Sequence, residues 1–415
     1  MNKSPFLAAG LLVFAGVAHA QSSVTLYGII DEALVVQSNQ RITAANPATG
    51  SPGTGGRRYY LDSLSGINGS RWGIRGAEDL GSGLKAIFTL ESGFNLNSGA
   101  LAQGGLLFGR QAFVGLSSDE YGTISVGRQY DDVVDYIGPL IFAGKMGSIF
   151  SALPGDMNNA DSGQRINNAI KYASRNYAGL TFGAMYSLGG VAGAGARNQV
   201  YSAGIGYAHG PLNLAAAYLR ANQPNVSVFS NSATSAGTIG TATTSVTTPV
   251  YSGYMSANSY QVASAGGSYA LGPVSLGMIY SNVQFQHLGS SLSAIGTNAV
   301  PAGGGRGTAI FNAVEVNTIW RVTPALQIGG AYSHTAGSSV TGANGKAFGG
   351  ARYDQFALAT DYALSKRTDV YVAGIFQTAS GTDSTGARAV ANLNTATASS
   401  NNHQAILRVG MRHKF

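Results

Sequence analysis

The chain has 415 residues, a formal net charge of +7, no cysteine and only 10% charged residues, whereas about a quarter of a soluble domain is usually charged. An apolar share of 44%, with 59 glycines and 21 tyrosines, excludes a disordered chain and favours β-structure. The sequence has no run of Lys and Arg and no aromatic–basic motif, which argues against a nucleic-acid partner.

The first twenty residues, MNKSPFLAAGLLVFAGVAHA, carry Lys3, then an apolar stretch, then Ala18-His19-Ala20. This order predicts a secretory signal peptide at residues 1–20, cleaved between Ala20 and Gln21. A membrane anchor is the alternative, but the stretch is too short. After Gln21 no uninterrupted apolar run approaches the roughly 20 residues of a membrane helix. We therefore expect residues 21–415 to form one exported domain.

Apolar and small polar residues alternate along much of the chain. In LTFGAMYS, Leu180, Phe182 and Tyr186 share one face, and Thr181 and Gly183 lie on the other. The opposite faces are too small and polar to fill a core, which excludes a packed sandwich. Tyrosines recur at the ends of the apolar faces, as in the aromatic girdles of membrane barrels. They are Tyr201, Tyr207, Tyr218, Tyr280 and Tyr332.

The alternation predicts sixteen strands. They cover residues 23–37, 70–80, 83–95, 107–117, 122–131, 167–176, 179–188, 199–209, 211–221, 258–271, 273–286, 308–322, 325–335, 352–364, 367–378 and 403–415. Even-numbered strands are followed by tight turns and odd-numbered strands by long connections. This pattern predicts an all-β protein, a 16-stranded antiparallel transmembrane β-barrel. Such a barrel is wide enough for an aqueous channel, with its polar face inside.

Five segments resemble the general porins of the Gram-negative outer membrane, in particular their betaproteobacterial branch. They read SSVTLYGIIDEAL, SRWGIRGAEDLGSGLKAIFTLESGF, FGRQAFVGLSSDEYGTISVGRQYD, INNAIKYASRNYAGLTFGAMYS and ILRVGMRHKF. The resemblance implies a homotrimer in outer-membrane lipid and lipopolysaccharide, a passive pore for ions and small hydrophilic solutes, and no cofactor or metal. It also implies that the outer-membrane assembly machinery reads the terminal Phe415.

In the porin family the third long extracellular loop folds into the barrel, and its acids face basic residues of the wall. Here the third long connection, residues 132–166, has apolar patches that would not stay in water. Its candidate acids, with one at the strand end, are Asp131, Asp132, Asp135, Asp156 and Asp161. They could instead be helix caps and turn residues.

The family's arginine positions correspond to Arg71, Arg110 and Arg165. Alternation alone adds Arg75, Lys171 and Arg408 to the inner wall. Each could instead be held in a salt bridge that fixes the loop. The sequence departs from enteric relatives in having Ile29 after LYG, followed by Asp31. An excess of basic wall residues over loop acids predicts a mild anion preference.

Two polar residues, Gln111 and Arg128, are expected to point outward from strands 107–117 and 122–131. Because a charge facing lipid is costly, we expect these two strands to form the subunit interface. The alternative for Arg128 is that it snorkels to the membrane surface.

Other functions are a barrel enzyme, an adhesin that displays its long loops, or a solute-specific channel. The chain has no HExxH or GxSxG motif. The sequence therefore favours a diffusion channel.

Overall fold

The computed structural model describes residues 23–44, 53–224, 228–229, 248–289, 305–342 and 345–415. The expected signal peptide, with Ala20 and Gln21, lies outside these ranges. Within them, no helix is long and apolar enough to cross a membrane.

The described residues form nineteen strands and one short α-helix. The strands are β1 (Ser23–Thr43), β2 (Thr54–Asp62), β3 (Arg71–Gly81), β4 (Leu84–Gly93), β5 (Gln111–Ser118), β6 (Gly122–Gln129), β7 (Ile166–Ala173), β8 (Leu180–Ser187), β9 (Val200–His209), β10 (Leu212–Asn222), β11 (Ser259–Leu271), β12 (Val274–Leu288), β13 (Gly305–Arg321), β14 (Leu326–Gly337), β15 (Ser339–Gly342), β16 (Ala347–Gly349), β17 (Arg352–Ala363), β18 (Thr368–Ser380) and β19 (His403–Lys414). The helix is α1 (Asp132–Tyr136), and short 3-10 or π-helical turns cover Gln103–Gly105, Ala143–Gly147, Ile149–Ser151, Pro154–Asp156 and Ser252–Tyr254.

The barrel is closed and has sixteen antiparallel strands around its wall, which confirms the predicted fold; the nineteen segments include three short additional strands. Closure joins the first and last strands, in a register that runs from Ile29 opposite Lys414 to Gln37 opposite Ile406. Three strands were not predicted. β2 pairs only with the second half of β1, and β15 and β16 form a hairpin on the side of the long loops.

Side chains alternate between an apolar outer face and a polar inner face. On β8, Leu180, Phe182 and Tyr186 are exposed to the outside, whereas Met185 and Ser187 are buried inside. This arrangement suits lipid, because the outer face needs no polar partner and the ladder satisfies the backbone. The interior is left to polar side chains, loops and water.

Residues 130–165, which we call loop 3, lie inside the barrel. The Gln355 Nε2 donates to Ser151 O at 2.7 Å, and Tyr260 Oη donates to Met157 O at 2.5 Å. The Phe142 N–H donates to the Glu315 carboxylate at 2.7 Å. Glycine makes room for α1, since a Cβ at Gly204 would overlap the ring of Tyr136. Loop 3 is thus bonded to the inner wall at several separate strands.

An aromatic cluster fills the barrel behind the second half of loop 3. Phe285 contacts Tyr251, Tyr254 and Tyr260 with ring centroids 5.3–5.7 Å apart. The hydroxyl of Tyr251 donates to Gly155 O of loop 3 at 2.9 Å. The cluster therefore occupies one side of the lumen and pins the loop from behind.

In the described part of the chain, the wall is interrupted between β2 and β3. β1 pairs with β3 through Ser23–Ile29 and with β2 from Ala33 onward, while residues 63–70 fold inward. The Ser70 hydroxyl replaces the missing ladder, because it accepts from Asp31 N at 3.0 Å and donates to Asp31 O at 2.9 Å.

Candidate functional site

Loop 3 separates two cavities in the barrel, and Pro139 lines both. The long-loop cavity, about 1110 Å³, is lined by long-loop residues such as Asn392–Ala398 and by the wall around Arg71. The short-turn cavity, about 670 Å³, is lined by the turn residues Gly179, Gly272 and Pro273. Together the cavities extend from the side of the long loops to the side of the short turns.

Arg71, Arg110 and Arg165 all line the long-loop cavity. The Nε of Arg110 donates to the Glu91 carboxylate at 2.7 Å, and the Arg165 guanidinium lies 5.3 Å from the ring centre of Tyr130. Among the described residues, the Arg71 side chain makes no hydrogen bond or ion pair. Of the three guanidinium groups, only that of Arg110 has a carboxylate within salt-bridge distance in the described part of the chain, and this partner, Glu91, was not singled out by sequence reasoning.

Arg75 and Lys171, which were predicted from alternation alone, have other surroundings than the three arginines of the long-loop cavity. Arg75 is on the inner face and exposed, with its guanidinium 5.3 Å from the ring centre of Tyr27. The Lys171 ammonium donates to Asp135 Oδ2 at 2.5 Å and to Tyr130 O at 2.6 Å. Arg41, on the part of β1 beyond the predicted end at residue 37, also lines the long-loop cavity.

Arg408 is fully buried rather than exposed to the lumen. Its guanidinium donates to Asp31 Oδ1 at 2.8 Å, to the Asp62 carboxylate and, through Nε, to Tyr371 Oη at 2.7 Å. Two carboxylates offset its charge, so the expectation of a pore-lining residue is corrected. Arg408 belongs to a polar network of the wall.

The five predicted acids also divide by role. Asp131 caps α1, accepting from Val133 N at 2.8 Å, and Asp132 accepts from the Ser202 hydroxyl. Asp135 pairs with Lys171 and lines the short-turn cavity. Of the five, only Asp156 and Asp161 line the long-loop cavity, which the wall arginines also line.

Asp156 and Asp161 lie next to each other in space, and neither forms a salt bridge in the described part of the chain. Asp156 accepts from Asp161 N at 3.0 Å and from Gly163 N at 2.8 Å. Burial raises the pKa of Asp156 to about 7, and burial with repulsion from Asp156 raises the pKa of Asp161 well above its ordinary value. The negative charge of this part of loop 3 is therefore reduced near neutral pH.

The expected orientation of strand 107–117 is wrong. Gln111 lies opposite Glu91 and faces inward, while Val114 and Leu116 are exposed outside. The reason is that β5 begins only at Gln111, so Arg110 reaches the lumen from the preceding segment and does not set the alternation.

Arg128 does share the outward register of Val126, but it is buried. Its Nε donates to Gly109 O at 2.9 Å, and Nη1 donates to the Asn167 side chain. Strict alternation would place Tyr130 outside as well, two residues after Arg128. It lies instead beside Arg165 in the interior, beyond a register shift between Gly127 and Gln129.

Phe415 ends the closing strand at the short-turn side. Its N–H donates to Gly28 O and its carbonyl accepts from Gly28 N, both at 3.1 Å. A Cβ at Gly28 would overlap the Phe415 ring. The ring covers the seam of the barrel, and its role as an assembly signal stays a prediction.

A closed sixteen-stranded barrel with a charged, polar lumen defines a membrane channel protein. A family model described as Gram-negative porin matches residues 7–382. An outer membrane porin protein of Bordetella pertussis is 34% identical over 403 residues, covering 90% of this chain and 94% of that protein. The chain therefore belongs to the Gram-negative porin family; it is an outer-membrane channel and not an enzyme.

Two further comparisons agree with this assignment. Outer membrane porin protein 32 of Delftia acidovorans is 32% identical over 225 residues, covering 51% of this chain and 58% of that protein. The solved anion-selective porin from Comamonas acidovorans has the same fold, with a TM-score of 0.67 and 22% identity over 95% of this chain and all of that chain.

The Arg408 geometry makes a prediction about stability. Replacing Arg408 with Gln leaves Asp31 and Asp62 buried without their counter-charge, which costs about 3–5 kcal/mol. We expect a lower thermal unfolding temperature by circular dichroism in detergent, with little change in ion selectivity.

Arg71→Gln is the matched comparison, because Arg71 has no charged partner within hydrogen-bond reach in the described part of the chain. It should leave the unfolding temperature nearly unchanged and shift the selectivity instead. If Arg408→Gln altered selectivity as strongly as Arg71→Gln at unchanged stability, Arg408 would be a pore residue after all.

Proposed function

We propose that the channel is a general diffusion pore for ions and small hydrophilic solutes, with a mild preference for anions set where loop 3 faces the basic wall. The observation that carries the anion preference is the excess of guanidinium groups in the long-loop cavity. Arg71, Arg110 and Arg165 all line it; Arg110 is paired with Glu91, but Arg71 and Arg165 have no carboxylate within salt-bridge distance in the described part of the chain, and the two loop acids have raised pKa values.

The electrostatic argument rests on the low dielectric of the surrounding protein and lipid. Fixed charges on opposite sides of a narrow aqueous gap produce a transverse field, and an excess of one sign raises the local concentration of the opposite ion. Here the wall carries the excess positive charge. Anions are thus enriched at the constriction, whereas paired groups such as Lys171 contribute little net field.

The first test measures reversal potential in a planar bilayer across a salt gradient. We expect a potential of the anion-selective sign that weakens in Arg71→Gln. It should weaken further in Arg110→Gln, which also leaves Glu91 uncompensated. Arg367→Gln on the exposed turn between β17 and β18 is the charge-matched control and should behave like the parent protein. A cation-selective potential in the parent protein would refute the proposed sign.

A second test uses pH. Because the pKa of Asp156 is raised to about 7, its negative charge is present above that pH and is lost below it. Asp161 and Arg165 are the charged neighbours, and Asp131 adds weaker repulsion. Anion preference should therefore increase as the pH falls from 8 to 6.

Asp156→Asn should reduce this pH dependence and give the low-pH selectivity at pH 8. Asp119→Asn, at an exposed short turn, is the control that should leave the pH dependence intact. An equally strong pH dependence in Asp156→Asn would mean that another group is responsible.

The homotrimer implied by the family requires a contact surface between subunits. We propose the outer surface at the interrupted wall for this interface, in place of the predicted strands 107–117 and 122–131. Glu32 points outward there, between the exposed Ile30 and Leu34 and opposite Met411. It borders an apolar groove of about 540 Å³ on the outer surface. A carboxylate and an interrupted ladder are both costly in hydrocarbon, so a second copy of the chain is the occupant we propose.

The sequence has no cysteine, so single cysteines can carry a spin label for oxygen-accessibility measurements. A label at Leu34→Cys should be shielded from oxygen in the native oligomer, whereas one at Leu214→Cys on β10 should be accessible from lipid. Val126→Cys tests the originally expected face. Shielding at position 126 with free access at position 34 would restore that expectation.

A further inference from the structure

The short-turn cavity has the size and lining of a binding site. Its volume of about 670 Å³ lies within the range of small-molecule sites. Six hydroxyl or amide side chains line it: Asn176, Thr181, Asn213, Ser268, Ser275 and Gln327. These groups can donate to and accept from hydroxylated molecules.

The cavity also carries two basic side chains, Lys145 of loop 3 and Arg321 at the end of β13. Lys145 is the only basic residue between residues 132 and 164, and the π-helical turn Ala143–Gly147 holds it. Its ammonium donates to Asn317 Oδ1 at 3.2 Å. Arg321 lies opposite Gln327 on the inner face of the wall and is exposed.

Little nearby negative charge offsets these two cations. Asp135 also lines the cavity, but it is paired with Lys171 at 2.5 Å. Glu315 is buried, and its carboxylate accepts from Phe142 N at 2.7 Å and from Asn317 Nδ2 at 2.8 Å. Burial lowers the pKa of Lys145, and the attraction of the Glu315 carboxylate, which lies beyond salt-bridge distance, offsets this effect only in part. An arriving anion would supply that missing charge.

We propose that the short-turn cavity is a second binding station of the pore, which takes small polyhydroxylated carboxylates through Lys145 and Arg321. The proposal rests on the channel function proposed above and adds a solute class. A simple inorganic anion would use the two cations but not the hydroxyl and amide lining. A sugar acid uses both, with its carboxylate at the basic pair and its hydroxyls along β8, β10, β11 and β12.

A weak site on the short-turn side has a consequence for transport. A solute that has passed the constriction meets a second favourable position before it leaves, which lowers the barrier between the two cavities. Conduction requires that this binding stay weak. The pore should therefore be transiently blocked by such a solute, and the block should depend on the side of addition.

The test uses single-channel current noise with gluconate added to one side of the bilayer at a time. Gluconate on the short-turn side should produce brief blocks in the parent protein, and sorbitol, its uncharged relative, should produce far fewer. Lys145→Gln and Arg321→Gln should each weaken the gluconate block about fivefold, as expected for a solvent-accessible ion pair. Lys366→Gln and Arg367→Gln, on the exposed turn at the same side of the barrel, are the matched controls.

The outcomes separate this proposal from the preceding one. An anion-selective pore whose gluconate block is unchanged in Lys145→Gln and Arg321→Gln overturns the station and leaves the anion preference standing. A sorbitol block equal to that of gluconate also overturns it. A cation-selective pore whose gluconate block is lost in both variants supports the station and refutes the preference proposed at the constriction.

Discussion

The structure depends on the inability of lipid to hydrogen-bond with the protein backbone. Each strand must find a partner on both sides, so the sheet closes through the pairing of β1 with β19. The interruption of the ladder between β2 and β3 shows the strength of this requirement. There the hydroxyl of Ser70 supplies both bonds to the backbone of Asp31, and an outward-facing carboxylate, Glu32, adds a second reason why lipid is a poor neighbour.

Closing the barrel with its apolar face outward leaves an interior that cannot be filled by a conventional core. The chain fills it with loop 3 and the aromatic cluster around Phe285. Loop 3 is polar at its main chain, so its carbonyls and N–H groups require partners from the wall. Gln355, Glu315 and Tyr260 supply them from three different strands. What remains unfilled is the pair of cavities that the loop separates.

The inner charges have two different roles, and the difference lies in their partners. Arg408 lies between Asp31 and Asp62, and Arg412 binds Asp369 at 3.0 Å, so both stabilise the wall with little net charge. Arg71 and Lys145 lack a carboxylate within salt-bridge distance in the described part of the chain and line cavities instead. In the function proposed here, this second group acts on solutes in the lumen.

The sequence predicts the strands well because period-2 alternation is a local property, and each strand here is long enough to display it. The prediction of which face a side chain lies on fails where it depends on the residue at which a strand begins or on a register shift. Gln111 and Tyr130 were assigned to the wrong face for these reasons. The pairing of Arg408 was also beyond reach, since Asp31 and Asp62 are hundreds of residues away in the chain. Arg41 was missed because the apolar alternation of β1 ends at Val36, before the last residues that pair with β2.

The support behind loop 3 bears on how selectivity is achieved. The hydroxyls of Tyr251 and Tyr260 bond to the loop backbone at Gly155 and Met157, on either side of Asp156. Their rings are packed against Phe285, so displacing this part of the loop would break both hydrogen bonds and aromatic contacts together. The acids of the loop are thereby fixed in place relative to the wall arginines. In the proposed function, selectivity depends on these fixed charges and their protonation, so that a change in pH alters it without moving the backbone.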